Sequence, residues 1–117
     1  MPHQDSPATA KRRARKKRTV SQMIALHCAD NHDDGARTEL GFCGERICAE
    51  CARLDAYALL RTERCRKMHL RKTSCDACEN RCYKPEMREG IRAVMRYAGP
   101  RMMRRHPVAA LRHLLGV

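Results

Sequence analysis

Residues 75 to 82 read CDACENRC, three thiols within eight positions, and a second close pair stands at Cys48 and Cys51. Thiolates at this spacing can hold a zinc ion, ligate an iron–sulfur cluster or act as a redox dithiol, because C-x2-C delivers two sulfurs to one point. Cys82 follows Cys78 by four residues, one helical turn, and Cys65 stands ahead of the same segment. Sequence proximity therefore groups Cys65, Cys75, Cys78 and Cys82 as one four-thiolate site. The pair Cys48 and Cys51 needs two further ligands. Cys28 and His32 are separated by three residues, which puts both on one helical face or at a helix end, and they complete a second site of Cys28, His32, Cys48 and Cys51. His27 competes with His32 for the imidazole position. The ligands of the two sites can also exchange, Cys28 with Cys65. Cys43 stands alone and reads as a non-ligand.

An isolated cysteine is often just a small buried hydrophobe, but two C-x2-C pairs in 117 residues speak against that reading here. A four-thiolate set suits tetrahedral zinc and equally a [4Fe–4S] cluster, whereas a three-Cys, one-His set favours zinc. With four protein ligands no coordination position stays open for a substrate, so the role expected of the metal is structural. Such binding contributes on the order of 10 kcal/mol or more to folding. No histidine and acid are placed around Cys43 to activate it, so no catalytic constellation is present and the chain does not read as an enzyme.

Such sites would have to be carried by a small scaffold. The aromatic content is 3% with no Trp, and a domain of this size with so few large side chains needs staples. Disulfides would be one kind, given eight cysteines. The N-terminal residues lack the apolar core of a signal peptide, however, and no window is long and apolar enough to span a membrane. The expected compartment is therefore the cytoplasm, where thiols stay reduced and clustered Cys binds metal.

The charge is unevenly spread. Seven basic residues against Asp5 give residues 1 to 18 +6 of the formal +12. Two divalent ions on seven thiolates and one neutral imidazole would lower the charge of the remainder by three, leaving it mildly basic. KRRARKKR has seven basic residues of eight, which predicts a disordered tail over 1 to 18 and a metal-binding helical domain over 19 to 117.

Within that domain a first helix is expected from Thr19 or Ser21 through SQMIALHCA, followed by a loop at DNHDDGARTELG. Ile47, Cys48, Cys51, Leu54 and Ala58 predict a second helix over roughly 45 to 63. Residues 65 to 82 read as a cysteine-rich loop that a ligand must organise. Pro85 opens a third helix with Met87, Ile91, Val94, Met95 and Ala98 on one face, stopped by Gly99 and Pro100. Pro107 opens a last one carrying Val108, Leu111, Leu114 and Leu115. The expected fold is thus mainly α, about four short helices stabilised by metal.

The segment CYKPEMREGIRAVMRYAGPRMMRRHPVAALRHLL resembles the signature of the YgbA-like, nitrous-oxide-stimulated promoter family of bacterial proteins, and MIALHCADNH, ICAECARLDAYALLRTERC and CDAC are similar to it too. The likeness covers roughly residues 19 to 115 and leaves out the basic tail. It implies a small cytoplasmic protein of the nitric-oxide response. The family pattern falls on Cys28, His32, Cys48, Cys51, Cys65, Cys75, Cys78 and Cys82 and misses Cys43. Arg81 departs from it, since relatives tend to have His before the equivalent of Cys82.

Arg88, Arg92 and Arg96 recur at helical spacing, and Arg101, Arg104 and Arg105 follow. They form a candidate anion or nucleic-acid surface, against the plainer reading of a solvated helix face. No aromatic platform is interleaved for stacking bases. The basic tail would contact nucleic acid non-specifically. Taken together, the chain is expected to be a metal-binding, preferentially zinc-binding, module of the nitrosative-stress response acting through a protein partner. The alternatives are an iron–sulfur or zinc-thiolate sensor of nitric oxide, and a DNA-binding regulator built on the last two helices.

Overall fold

The computed structural model describes residues 6–65 and 83–115, with side chains to residue 112. Of the expected ligands, Cys75, Cys78 and Cys82 lie outside these residues.

The first helix, α1, runs Pro7–Asn31, so the disorder expected over residues 1 to 18 is corrected from Pro7 onward. Two local signals start it: Ser6 accepts the Thr9 N–H on its hydroxyl at 3.1 Å, and Pro7 occupies the first helical position. Ala, Lys and Arg then continue it, all strong helix formers. Charge density alone suggested a solvated tail, but cations of this segment have tertiary partners. Arg13 is only 6% exposed, and its Nη1 lies 2.7 Å from the carbonyl oxygen of Thr62, 3.1 Å from that of Glu63 and 2.9 Å from that of Cys65. Lys17 forms an ion pair with Glu63 one turn further along α1.

Those carbonyls end the second helix, α2, Ala49–Glu63. The last carbonyls of a helix lack intrahelical partners and carry the negative end of its dipole, so a guanidinium satisfies both needs. Beyond this anchor α1 becomes the central element. Val20, Met23, Ile24, Ala25, Leu26 and Cys28 are all buried, a near-continuous apolar run of the kind found in a helix surrounded by others.

Between the two helices, residues expected as loop form a 3-10 turn at Asp34–Ala36 and a small antiparallel hairpin, β1 Glu39–Leu40 with β2 Arg46–Ile47. Its tip needs Gly44, which has φ +92°, and the neighbouring backbone is pinned from both helices. Asp55 accepts the Phe42 N–H at 3.1 Å, and Ser21 accepts the Cys43 N–H at 3.0 Å. The strand takes Arg46 and Ile47, so α2 starts four residues later than its periodicity suggested.

The third helix, α3, spans Pro85–Arg105 and buries Ile91, Val94, Ala98 and Met102. It does not stop at Gly99 and Pro100. Pro100 removes one backbone donor, but both it and Arg96, whose carbonyl loses that donor, are exposed, so water can replace the bond while Ala98 and Met102 hold the opposite side in the core. The last helix, α4, Pro107–Leu115, follows after His106 alone. It buries Ala110 and exposes Val108 and Leu111. Helix α1 touches α2, α3, α4 and β2. No helix among the described residues is long and apolar enough to cross a membrane.

Replacing Arg13 with Ala leaves the carbonyls at the end of α2 unpaired. Urea unfolding should show a loss of about 1.5–3 kcal/mol, against about 0.5 kcal/mol or less for Lys11→Ala, whose side chain is exposed. Equal effects would return residues 7–18 to the role of a solvated tail.

Candidate metal centre

Two helix ends meet at the other extremity of the α1–α2 pair. Cys28 lies in the last turn of α1, fully buried, and His32 is the residue that caps it, its N–H bonded to the Cys28 carbonyl at 2.9 Å. Cys48 occupies the position before α2 where Ser or Asp is usual, and its sulfur accepts the Cys51 N–H at 3.4 Å. The extended backbone this requires is why Cys48 stands outside the helix. Cys51 then falls in the first turn of α2.

The four donors converge. The Cys48 N–H donates to the Cys28 sulfur at 3.3 Å, and His32 Nδ1 lies 3.5 Å from the Cys48 sulfur and 3.3 Å from that of Cys51. All four ligand atoms lie within 4.8 Å of one another. Around one tetrahedral zinc, with bonds of about 2.3 Å to sulfur and 2.0–2.1 Å to nitrogen, donor–donor separations come to roughly 3.4–3.8 Å. The residues present therefore fit a metal ion, and Cys28, His32, Cys48 and Cys51 could hold one.

Burial pushes the Cys28 thiol up, with the Cys48 N–H working the other way. For Cys51 burial again dominates, joined by the sulfurs of Cys48 and Cys28, and the thiol is driven strongly up. Cys48 goes the other way. Burial opposes its ionisation, but the Cys51 N–H, the thiols of Cys51 and Cys28 and the Glu50 N–H together outweigh burial. These donors surround the start of α2, where the helix dipole also favours a thiolate.

His27, the rival imidazole, is placed outside the ligand set. Its ring stands edge-on to His32 and to Tyr97, 5.5 Å between centroids in both cases, and burial followed by His32 holds it below its usual value, with Asp30 opposing. Tyr97, to which no role was assigned from spacing, ties this flank together: its hydroxyl donates to Asp30 at 2.9 Å and the Arg101 guanidinium lies 3.8 Å over its ring. A Tyr and an Arg four apart on a helix were the available signal.

Cys43 is not in the cluster; its sulfur lies 3.8 Å from a Glu45 carboxylate oxygen. Cys65 is partly exposed just past α2, and its three expected co-ligands lie outside the described residues. On α3, Arg88 and Arg92 are half-buried while Arg96, Arg101 and Arg104 are exposed. Arg101 is engaged with Tyr97, its Nη1 also donating to the Tyr97 carbonyl at 2.8 Å.

The family model described as "Nitrous oxide-stimulated promoter" matches residues 11–117. The chain belongs to this family. The family match begins inside the basic segment, which corrects the expectation that the likeness starts near residue 19 and agrees with a helix running through it. The uncharacterized protein YgbA of Escherichia coli (strain K12) is 35% identical over 107 residues, covering 92% of this chain and 82% of its own. No solved structure matches the chain.

Because the Cys28 and Cys51 thiols sit above their usual range in the free protein, loading a metal must expel at least their protons. Affinity should fall with falling pH, by about a hundredfold per unit for two protons. Chelator competition at several pH values checks this; a pH-independent affinity would remove these thiols from the ligand set.

Proposed function

We propose that this protein is a small zinc-stabilised binding and regulatory module of the nitrosative-stress response, its zinc held by Cys28, His32, Cys48 and Cys51. The observation that carries the reading is the compactness of the closed set. Four donors within 4.8 Å leave room for one ion, whereas a [4Fe–4S] cube places inorganic sulfide and four irons between its thiolates. Three sulfurs and one imidazole suit zinc. All four tetrahedral positions come from the chain, so the metal serves as a staple and takes no part in bond-breaking, in keeping with a non-enzymatic role.

The family description, a nitrous-oxide-stimulated promoter, supports placing the protein in the response to nitrogen oxides. A cytoplasmic location belongs to the same proposal, since clustered thiols kept for metal binding suit a reducing compartment. A second metal on Cys65, Cys75, Cys78 and Cys82 belongs to the same proposal, as does a protein partner. Burial of Cys28, Cys48 and Cys51 favours a scaffold over a sensor, since reactive thiolates are ordinarily partly exposed.

Metal, iron and acid-labile sulfide analysis of protein purified without oxygen tests the reading. Zinc without iron or sulfide is expected, with one equivalent lost in Cys51→Ala and retained in Cys43→Ala. A low excess of nitric oxide should leave the zinc bound. A coloured protein bleached by nitric oxide, or zinc ejected at that excess, would replace the module by a sensor. Deleting the gene should lengthen growth arrest after a nitric-oxide pulse, rescued by the wild-type chain but not by Cys51→Ala.

A further inference from the structure

About 9–20 Å along α1 from Cys28, a cleft of about 410 Å³ opens between the basic part of this helix and the joint of α3 with α4. Arg15, Lys16 and Arg18 of α1 line one side; Arg105 and Arg112 line the other. None of the lining residues is acidic. A merely solvated basic surface is ordinarily interspersed with carboxylates, whereas here three helices bring like charges to one concave place at a cost in repulsion.

Two further features point to a ligand. Arg15 lines the cleft, and its Nε donor has no hydrogen-bond partner among the described residues, so that nitrogen is not committed to a protein acceptor. Buried polar atoms left unpaired are unusual. The first turn of α4 lines the same wall from Pro107 to Ala109, adding the first-turn N–H groups of Val108 and Ala109, Pro107 having none, and the positive end of a helix dipole.

We propose that this cleft binds a compact ligand bearing two or more linked phosphoryl groups. Its volume lies in the range of small-ligand sites, and fork-shaped guanidinium groups match phosphoryl oxygens. No Phe, Tyr or Trp lines it, so bases have no stacking platform and the phosphate chain carries recognition. Of the α3 arginines expected as an anion surface, Arg105 lines the cleft and Arg88, Arg92, Arg96, Arg101 and Arg104 do not, and none of the four clustered Cys and His residues lines it. The proposal does not rest on the metal reading.

Titration of the full chain with inorganic tripolyphosphate at 0.15 M NaCl, followed by calorimetry, tests it. One saturable site is expected. Arg105→Ala and Arg112→Ala should each weaken it about tenfold, Arg112→Lys should weaken it less, and Arg88→Ala should leave it unchanged. Circular dichroism of each variant checks that the fold persists; both arginines are exposed. A nucleoside triphosphate binding as well as tripolyphosphate would support a nucleotide source, and one binding much more weakly would support an inorganic source. The proposal is overturned by the absence of saturable binding, by an equal loss in Arg88→Ala, or by single-stranded or duplex DNA outcompeting tripolyphosphate at equal phosphate concentration.

Discussion

The antiparallel pairing of α1 with α2 is clamped at both ends, and the rest of the molecule is arranged around that pair. Arg13 holds the last carbonyls of α2 at one end, and Cys28 and His32 meet Cys48 and Cys51 at the other. The spacing is matched: Arg13 precedes Cys28 by fifteen residues, as Cys48 precedes Glu63. At 1.5 Å per residue both intervals are about 22 Å. The chain has no Trp, one Phe and three Tyr, and of these only Tyr83 is buried while Phe42 is exposed, so aromatic burial does little to fix the register of two helices. Polar clamps separated by the same length supply it instead.

Each clamp uses the sign of the helix end it holds. The start of α2 presents unpaired N–H groups and a partial positive charge, and there the chain places sulfurs; the end presents carbonyls and a partial negative charge, and there it places a guanidinium. The order is not interchangeable. A cation beside Cys48 and Cys51 would compete with a metal ion for the thiolates, while a carboxylate at Arg13 would face three carbonyl oxygens. Burial of Arg13 is tolerable because its charge is compensated by directed acceptors.

The Cys/His cluster was legible from spacing because ligand chemistry limits the choices: Cys28 with His32 and Cys48 with Cys51 are local pairs, each fixed by one helix terminus. The starts of α3 and α4 were legible for the same reason, since Pro85 and Pro107 act locally. What the sequence did not disclose depends on partners distant along the chain. The helix through residues 7–18 is secured by Arg13 across some fifty residues, and its cations, taken by composition alone, look like a solvated tail. The hairpin rests on Ser21 and Asp55 reaching backbone N–H groups from two different helices. Pro100 lies on the solvent side of α3, where a lost hydrogen bond costs least, and that side is set by packing. His32 rather than His27 joins the cysteine cluster through its position on α1, which one sequence leaves undetermined until the neighbours of α1 are placed.

The basic run of α1 acquires a different meaning once it is helical. Arg13, Lys17, Val20 and Ile24 recur at four, three and four residues and turn toward α2 and the core, where the first two meet the end of α2 and the last two are buried. Arg15, Arg18, Thr19 and Gln22 recur at three, one and three on a different side and line the cleft against α4. One stretch of charge is therefore divided by the helical repeat into a structural face and an open face. Disorder would allow no such division, because a flexible chain presents every cation alike. Clamping α1 at Arg13 fixes the rotation that points Arg15 and Arg18 elsewhere, so the stability of the α1–α2 pair and the shape of the cationic cleft are consequences of the same contact.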